Sequence, residues 1–226
     1  MKVLIACEYS GAVRDEFLRM GHDAMSCDLL DTDVPGPHYK GDVRDIIGDQ
    51  WGMMIAFPPC TYLCSSGLHW NKRVPGRQEK TEKALEFVGF LLDAPIKRIA
   101  LENPVGCISS RIRRPDQIIQ PWMFGEDASK QTCLWLKGLP ELVSTHFIEP
   151  RYVCRCGCGF EYDLGKYGCP SCCGDRGAAL PRWGNQTAGG QNRLGPSADR
   201  WKLRSQTYPG IAKAMALQWG GKNGEA

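Results

Sequence analysis

Pro58-Pro59-Cys60 places a thiol directly after two prolines, at the end of the apolar run 51–57. Proline fixes φ and offers no N–H, so the pair makes a stiff turn that holds the next side chain in one direction. A cysteine held this way can act as a nucleophile once it is a thiolate; the commoner fate of a cysteine is an inert buried thiol. Glu102-Asn103-Pro104 ends a second apolar run, 96–101. A glutamate there could donate a proton to a substrate if burial keeps part of it protonated. Three more polar groups follow apolar segments: Glu8-Tyr9-Ser10-Gly11, Asp28 and Asp42. Gly11 permits close approach of a ligand to the backbone at a helix start. Asp28 lies about 20 residues past the first run, where an acid bonds ribose hydroxyls. Asp42 suits an adenine amine. Together they fit an adenosine ligand, and the absence of G-x-G-x-x-G argues against a dinucleotide.

Twelve cysteines are the outlier in composition, and six of them (Cys154, Cys156, Cys158, Cys169, Cys172, Cys173) fall within twenty residues. With no export signal in the sequence, metal binding explains them better than disulfides. Cys154 with Cys158, and Cys169 with Cys172, resemble the two knuckles of a zinc ribbon, which supply a tetrahedral thiolate site for Zn(2+). Cys156 could replace either of the first two, and Cys173 is spare. A metal would order a segment too short to fold alone. The scattered Cys7, Cys27, Cys64, Cys107 and Cys133 are expected to be packing residues.

The elements that must position these groups alternate. Residues 2–7, 23–27, 51–57 and 96–101 read as short buried strands, with weaker strands at 132–136 and 142–147. Helices are expected at 12–20, closed by Gly21, at 77–93 with Ala84, Leu85, Phe87, Val88, Leu91 and Leu92 at helical spacing, and at 209–219 with Ile211, Met215 and Trp219 on one side. Such alternation predicts an α/β fold with a parallel, doubly wound sheet. In open α/β sheets ligands bind beyond the carboxyl ends of the strands, so all five polar groups converge on one edge. The chain of 226 residues suffices for one core plus a small satellite. No apolar run approaches a membrane span, and the chain opens directly on a strand-like segment, so a cytoplasmic protein that avoids membranes is expected. The net charge of +3 is small but uneven. Arg111, Arg113 and Arg114 form one basic cluster, and Lys72, Arg73, Arg77 and Lys80 another. Residues 177–226 hold seven Lys or Arg against Asp199 and Glu225. Such patches suit a polyanion, or are simply solvated surface.

In their order these groups resemble the cytosine carbon-5 DNA methyltransferases, and the sequence looks closest to the short cytosine methylase-like proteins of phages and prophages. Residues 55–60 resemble the Pro-Cys nucleophile motif. Residues 101–104 resemble the Glu-Asn motif, with proline in place of valine. Residues 6–11, Asp28 and Asp42 stand where the first cofactor motifs stand, and residues 205–214 are similar to the closing motif. The resemblance spans about 1–150 and 200–220. It implies a Rossmann-like S-adenosylmethionine-dependent methyltransferase sheet with a small inserted zinc ribbon. It also implies that Cys60 attacks carbon-6 of cytosine while Glu102 bonds the ring nitrogen and amine. Glu8, Tyr9, Ser10, Gly11, Asp28, Asp42 and Pro58 would hold S-adenosylmethionine. The target base must leave the stack to reach Cys60.

The departures are specific. The first motif is Cys7-Glu8-Tyr9-Ser10-Gly11 rather than Phe-x-Gly-x-Gly, and Lys130-Gln131-Thr132 is only a positional counterpart of Gln-x-Arg-x-Arg. The family's large target-recognition domain is missing. The expected organisation is a catalytic domain at 1–150, a zinc ribbon at 151–176, and a basic loop with a closing helix at 177–226. Arg111, Arg113, Arg114, Lys130, Arg151 and Arg155 are the expected contacts to DNA, a duplex, read with short or loose specificity. A host or phage-infected bacterial cytoplasm suits this reading. Three alternatives stay open: a non-catalytic nucleic-acid-binding relative, the same chemistry on RNA or single-stranded DNA, and methylation of an exocyclic amine. The last needs an aromatic residue where Cys60 stands.

Overall fold

The computed structural model describes residues 1–154, 161–162 and 179–221. The chain divides into two compact units. One comprises Met1–Ile119, Gln131–Val143 and Thr207–Ala226, the other Gln120–Lys130 and Ser144–Gln206.

The first unit is built on a seven-stranded sheet. In chain order its elements are β1 (Lys2–Ala6), α1 (Ala12–Arg19), β2 (Asp23–Asp28), β3 (His38–Lys40), β4 (Met53–Ala56), α2 (Ser65–Leu68), α3 (Arg77–Leu92), β5 (Ile99–Pro104), α4 (Ile108–Arg111), β6 (Gln117–Ile119) and β7 (Thr132–Lys137). The second unit contributes β8 (Arg151–Cys154), β9 (Glu161–Tyr162), β10 (Ala179–Arg182) and α5 (Arg200–Ser205). The closing helix α6 (Pro209–Gly220) returns to the first. The strand order is β3-β2-β1-β4-β5-β7-β6. The first five are parallel in register, whereas β7 runs antiparallel to β5 and β6 antiparallel to β7. The expected parallel sheet is thus a mixed one. The order reverses between β1 and β4, which makes their carboxyl ends the switch point where open α/β sheets bind ligands.

Residues 3–6 and 53–56 are fully buried, so both sheet faces are covered. Leu4, Ala6, Met54, Ala56 and Leu101 form one core cluster with Leu85, Val88 and Leu91 of α3. On the other side α1 packs against α6. Two helix ends follow directly from sequence. Gly21, at φ +79°, ends α1, its N–H bonding to Leu18 O at 2.9 Å and that of His22 to Phe17 O at 3.0 Å. Pro209 opens α6 at its first turn, where no N–H is needed.

Residues 142–147 do not form the expected strand. Gln117 bonds both the N–H (2.8 Å) and the C=O (2.7 Å) of Leu142, and Gln218 does the same for Val143 (2.8 Å each). Two glutamine amides therefore satisfy backbone that a neighbouring strand would otherwise pair. The second unit carries a three-stranded sheet, β10-β8-β9, and a half-exposed aromatic cluster in which Trp122 stacks on Trp183 at 5.5 Å and meets Phe147 edge-on at 4.7 Å. No helix among the described residues is long and apolar enough to cross a membrane.

Candidate active site

β4 delivers the thiol. Its last turn is tied to β1 by Phe57 N–H donating to Ala6 O at 2.9 Å. Pro58 is buried, Pro59 and Cys60 exposed. The Cys60 carbonyl accepts from Leu63 N (3.0 Å) and Cys64 N (2.9 Å), folding the chain back so that Leu63, 1% exposed, plugs the core. The thiol therefore stands at the surface on a segment anchored from both sides.

β5, the next strand, delivers Glu102. Asn103, 1% exposed, donates through Nδ2 to the Pro58 carbonyl at 2.7 Å. Because Pro58 lies two residues before Cys60 and Asn103 adjoins Glu102, this bond fixes one loop against the other. Glu102 is half-buried, and Thr132 Oγ1, from β7, donates to its Oε1. Its charge, after burial, helps raise the thiol pKa of Cys133, which lies opposite Asn103 on β7. A second tie lies one turn further on. Ser65 N–H donates to Val105 O (3.0 Å) and Cys107 N–H to Leu63 O (2.9 Å), with Cys64 and Gly106 bridged. A Cβ on Gly106 would sit 1.9 Å from Leu63 O, so only glycine allows the loops to close.

A cleft of about 180 Å³, open to solvent, lies at the carboxyl ends of β1, β2 and β4. It is lined by Cys7, Cys27, Asp28, Leu29, Gly41, Asp42, Val43, Arg44, Pro59 and Phe87. Burial raises the Asp28 carboxyl above the ordinary carboxylate range, while its Oδ1 accepts from Leu30 N at 3.0 Å. Asp42 is held below that range, first by the backbone N–H of Arg44 (2.9 Å) and also by the Arg44 guanidinium (2.9 Å). Arg44 in turn lies 4.8 Å from the Phe87 ring centroid and 5.4 Å from that of Phe90. Burial, then the Asp28 charge, pushes the Cys27 thiol up to about 12 and the Cys7 thiol higher still, so neither supplies a thiolate at neutral pH.

Of the residues expected to bind a cofactor, the structure brings Asp28 and Asp42 into this cleft; Pro59 rather than Pro58 lines it. Glu8, Tyr9, Ser10 and Gly11 form the turn into α1 instead. Glu8 is 5% exposed, and its carboxylate accepts from Val13 N at 2.7 Å, Arg14 N at 3.5 Å and Ser10 Oγ at 3.2 Å, capping the helix from within the chain. Gly11 has φ +75°, and a Cβ there would meet the Arg14 guanidinium at 2.5 Å. Arg14 itself is fully buried, donating to Asp15, Ser26, Thr32 and the carbonyls of Val34 and Pro35. Arg44 and Phe87 escaped sequence reading. Their only signal was Arg44 two residues after Asp42 and Phe87 on the apolar side of α3. Cys7 and Cys27, expected to be packing residues, line the cleft, and Cys27, buried, also packs in the core cluster as expected.

The expected DNA contacts are partly engaged. Arg111 makes a two-pronged pair with Glu82 (2.7 and 3.2 Å), and Arg113 pairs with Asp116 at 2.7 Å. Both pairs are exposed and cost little to exchange for phosphate. Arg114 is exposed. In the second unit Lys130 Nζ donates to Arg204 O at 2.9 Å, and Arg151 pairs with Glu161 at 3.2 Å. Arg155 lies outside the described residues. Cys154 ends β8, buried; Cys156, Cys158, Cys169 and Cys172 lie outside the described residues. Among the described residues no three His, Cys, Asp or Glu side chains assemble as a metal site.

No protein-family model matches the chain. No curated protein matches it in sequence. Among solved structures it is similar to a candidate DNA modification methyltransferase encoded within a prophage (E. coli). The identity is 15%, over 60% of this chain and 46% of that one, with a TM-score of 0.42. The chain thus matches under half the length of that protein.

Proposed function

We propose that the chain is a DNA cytosine carbon-5 methyltransferase that uses S-adenosylmethionine and a covalent bond through Cys60. The observation that carries this reading is the Asn103–Pro58 hydrogen bond, which couples a thiol loop and a glutamate strand at adjacent strand ends. The order of the Pro-Cys and Glu-Asn motifs supports it. The cleft supports the cofactor's adenosine half: a half-buried carboxylate at the end of β2 suits ribose hydroxyls, and the Phe87 ring beside Arg44 suits a purine. S-adenosylmethionine, when bound, supplies an electrophilic methyl group.

The chain's own residues do the rest. The Cys60 thiolate adds to carbon-6 of the flipped cytosine, forming an S–C bond and moving the ring's electron pair toward N3. Glu102, protonated, gives N3 its proton and accepts from the exocyclic amine; Thr132 fixes which way that carboxyl points. The ring then carries nucleophilic density at carbon-5. After alkylation, a base takes the carbon-5 proton, the returning electrons expel Cys60 as thiolate, and N3 gives its proton back to Glu102. Arg111, Arg113 and Arg114 contribute phosphate contacts, and the cysteines at 154, 158, 169 and 172 hold Zn(2+), a role resting on their spacing alone.

The test is labelled S-adenosylmethionine with duplex DNA, single-stranded DNA and RNA offered separately. Label on DNA supports the reading, and no transfer to any polymer overturns it. One observation favours a second reading, a non-catalytic nucleic-acid-binding protein: the Glu8 carboxylate is spent on α1 rather than turned to the cleft. Calorimetry decides, since that reading requires no S-adenosylmethionine binding with or without DNA.

A further inference from the structure

The segment that follows Cys60 carries two pairings of an aromatic ring with cations. Trp70 lies in a 3-10 turn, His69–Lys72, and is 46% exposed. The Arg73 guanidinium stands 5.7 Å from its ring centroid, and the His69 ring packs beside it at 4.8 Å. Tyr62 has Arg77 over its ring at 4.9 Å and Lys80 at 5.8 Å. Between residues 61 and 80, Lys72, Arg73, Arg77 and Lys80 stand against a single acid, Glu79.

The segment is held in place rather than loose. Thr81, 2% exposed on α3, donates through Oγ1 to Tyr62 O at 3.1 Å, and Asn71 Nδ2 donates to Thr81 Oγ1 at 2.9 Å. Arg77 Nη2 donates to Thr61 O at 3.0 Å. An indole kept half in water on a pinned segment gives up burial that folding could have gained. A flat apolar ligand would recover it, and the surrounding cations select a polyanion. A nucleobase on a phosphodiester strand meets both requirements, through ring stacking and phosphate contact. Within a duplex, each base already has both faces covered by its neighbours, so an unpaired base is the better fit.

We infer that Trp70, with Arg73, is a stacking platform for an unpaired nucleobase close in the strand to the reacting one. The proposed substrate is therefore single-stranded or locally opened nucleic acid. This deepens the proposed function, on which the presence of a reacting base at Cys60 rests.

The test is fluorescence anisotropy of labelled oligothymidylate, oligouridylate and a homopolymer duplex at one salt concentration. The proteins are wild type, Trp70→Ala and Trp70→Phe, each checked for an unchanged melting temperature. Wild type should bind the unpaired strands more tightly than the duplex. Trp70→Ala should weaken that binding about tenfold or more, leave duplex binding in place, and be largely rescued by Trp70→Phe. The sugar preferred by wild type identifies DNA or RNA as the source of the base. Absence of binding to either unpaired strand, wild-type affinity in Trp70→Ala, or an equal loss on the duplex overturns the inference. Neither unpaired probe contains cytosine, so a failure of methyl transfer elsewhere would count against the chemistry at Cys60 and not against the platform.

Discussion

Gly106→Ala adds one methyl group where the loop after Glu102 crosses the loop after Cys60. The new Cβ would lie 1.9 Å from Leu63 O, 2.8 Å from Leu63 C and 3.0 Å from Cys64 Cα, all backbone atoms. No rotamer change relieves such a clash. Reaching even 3.0 Å from Leu63 O requires the loops to part by about 1 Å. That strains the Cys107–Leu63 and Ser65–Val105 bonds and moves Cys60 relative to Glu102. Overpacking of this kind costs about 1–3 kcal/mol. For a chain of this size that lowers the melting temperature by roughly 2–12 °C. A displacement of about 1 Å between reacting groups costs about 100-fold in rate. The assays are thermal denaturation and single-turnover methyl transfer. Gly89→Ala is the control: on α3 its Cβ meets nothing within 4 Å, so it should be neutral or slightly stabilising. A Gly106→Ala protein with the wild-type melting temperature and rate would refute the idea that this crossing sets the site.

Two further outcomes follow from the cleft and the first turn. Asp28→Asn should weaken S-adenosylmethionine binding by roughly tenfold or more, since hydrogen bonds to a charged group are worth about 1.5–3 kcal/mol, and calorimetry reads it directly; an unchanged affinity removes Asp28 from the cofactor's contacts. Glu8 has its carboxyl raised by burial, so in the folded state it holds its proton to higher pH than in the unfolded chain. Its contribution is full below pH 4.5, the ordinary value, and is lost as pH rises through the raised one. Glu8→Gln, which can still accept from Val13 N, should flatten that loss in a series of melting curves across mildly acid pH; an identical pH profile contradicts the assignment.

Much of the sheet could be read from the sequence because its strands are short, wholly apolar and punctuated by polar turns. β1, β2, β4 and β5 fall within a few residues of expectation, and α3 and α6 show their apolar spacing. β3 was invisible, because His38–Lys40 is three polar or aromatic residues after Pro-Gly-Pro and is defined by its pairing with β2. Nothing in the sequence around Arg14 marks it as buried, yet it is fully enclosed. Its burial depends on acceptors up to 21 residues away, which no local pattern encodes. Cys60 and Glu102 could be singled out because residue type and strand-end position coincide. The groups that place them could not. Thr132 reaches Glu102 across 30 residues of sequence, and Gly106 carries no functional group at all. The turn at Glu8–Gly11 shows the opposite limit: its position suggested ligand binding, while its hydrogen bonds serve the helix that follows.

The proposed reaction requires Cys60 to bond to cytosine and a methyl group to reach carbon-5. Nucleoside mass spectrometry of DNA treated with wild type and Cys60→Ala in S-adenosylmethionine tests this most directly. Cys60 is exposed, so the variant should keep its fold and melting temperature. The prediction is 5-methylcytosine from wild type and none from Cys60→Ala. A methyl group on the exocyclic amine, or undiminished transfer by the variant, would contradict it.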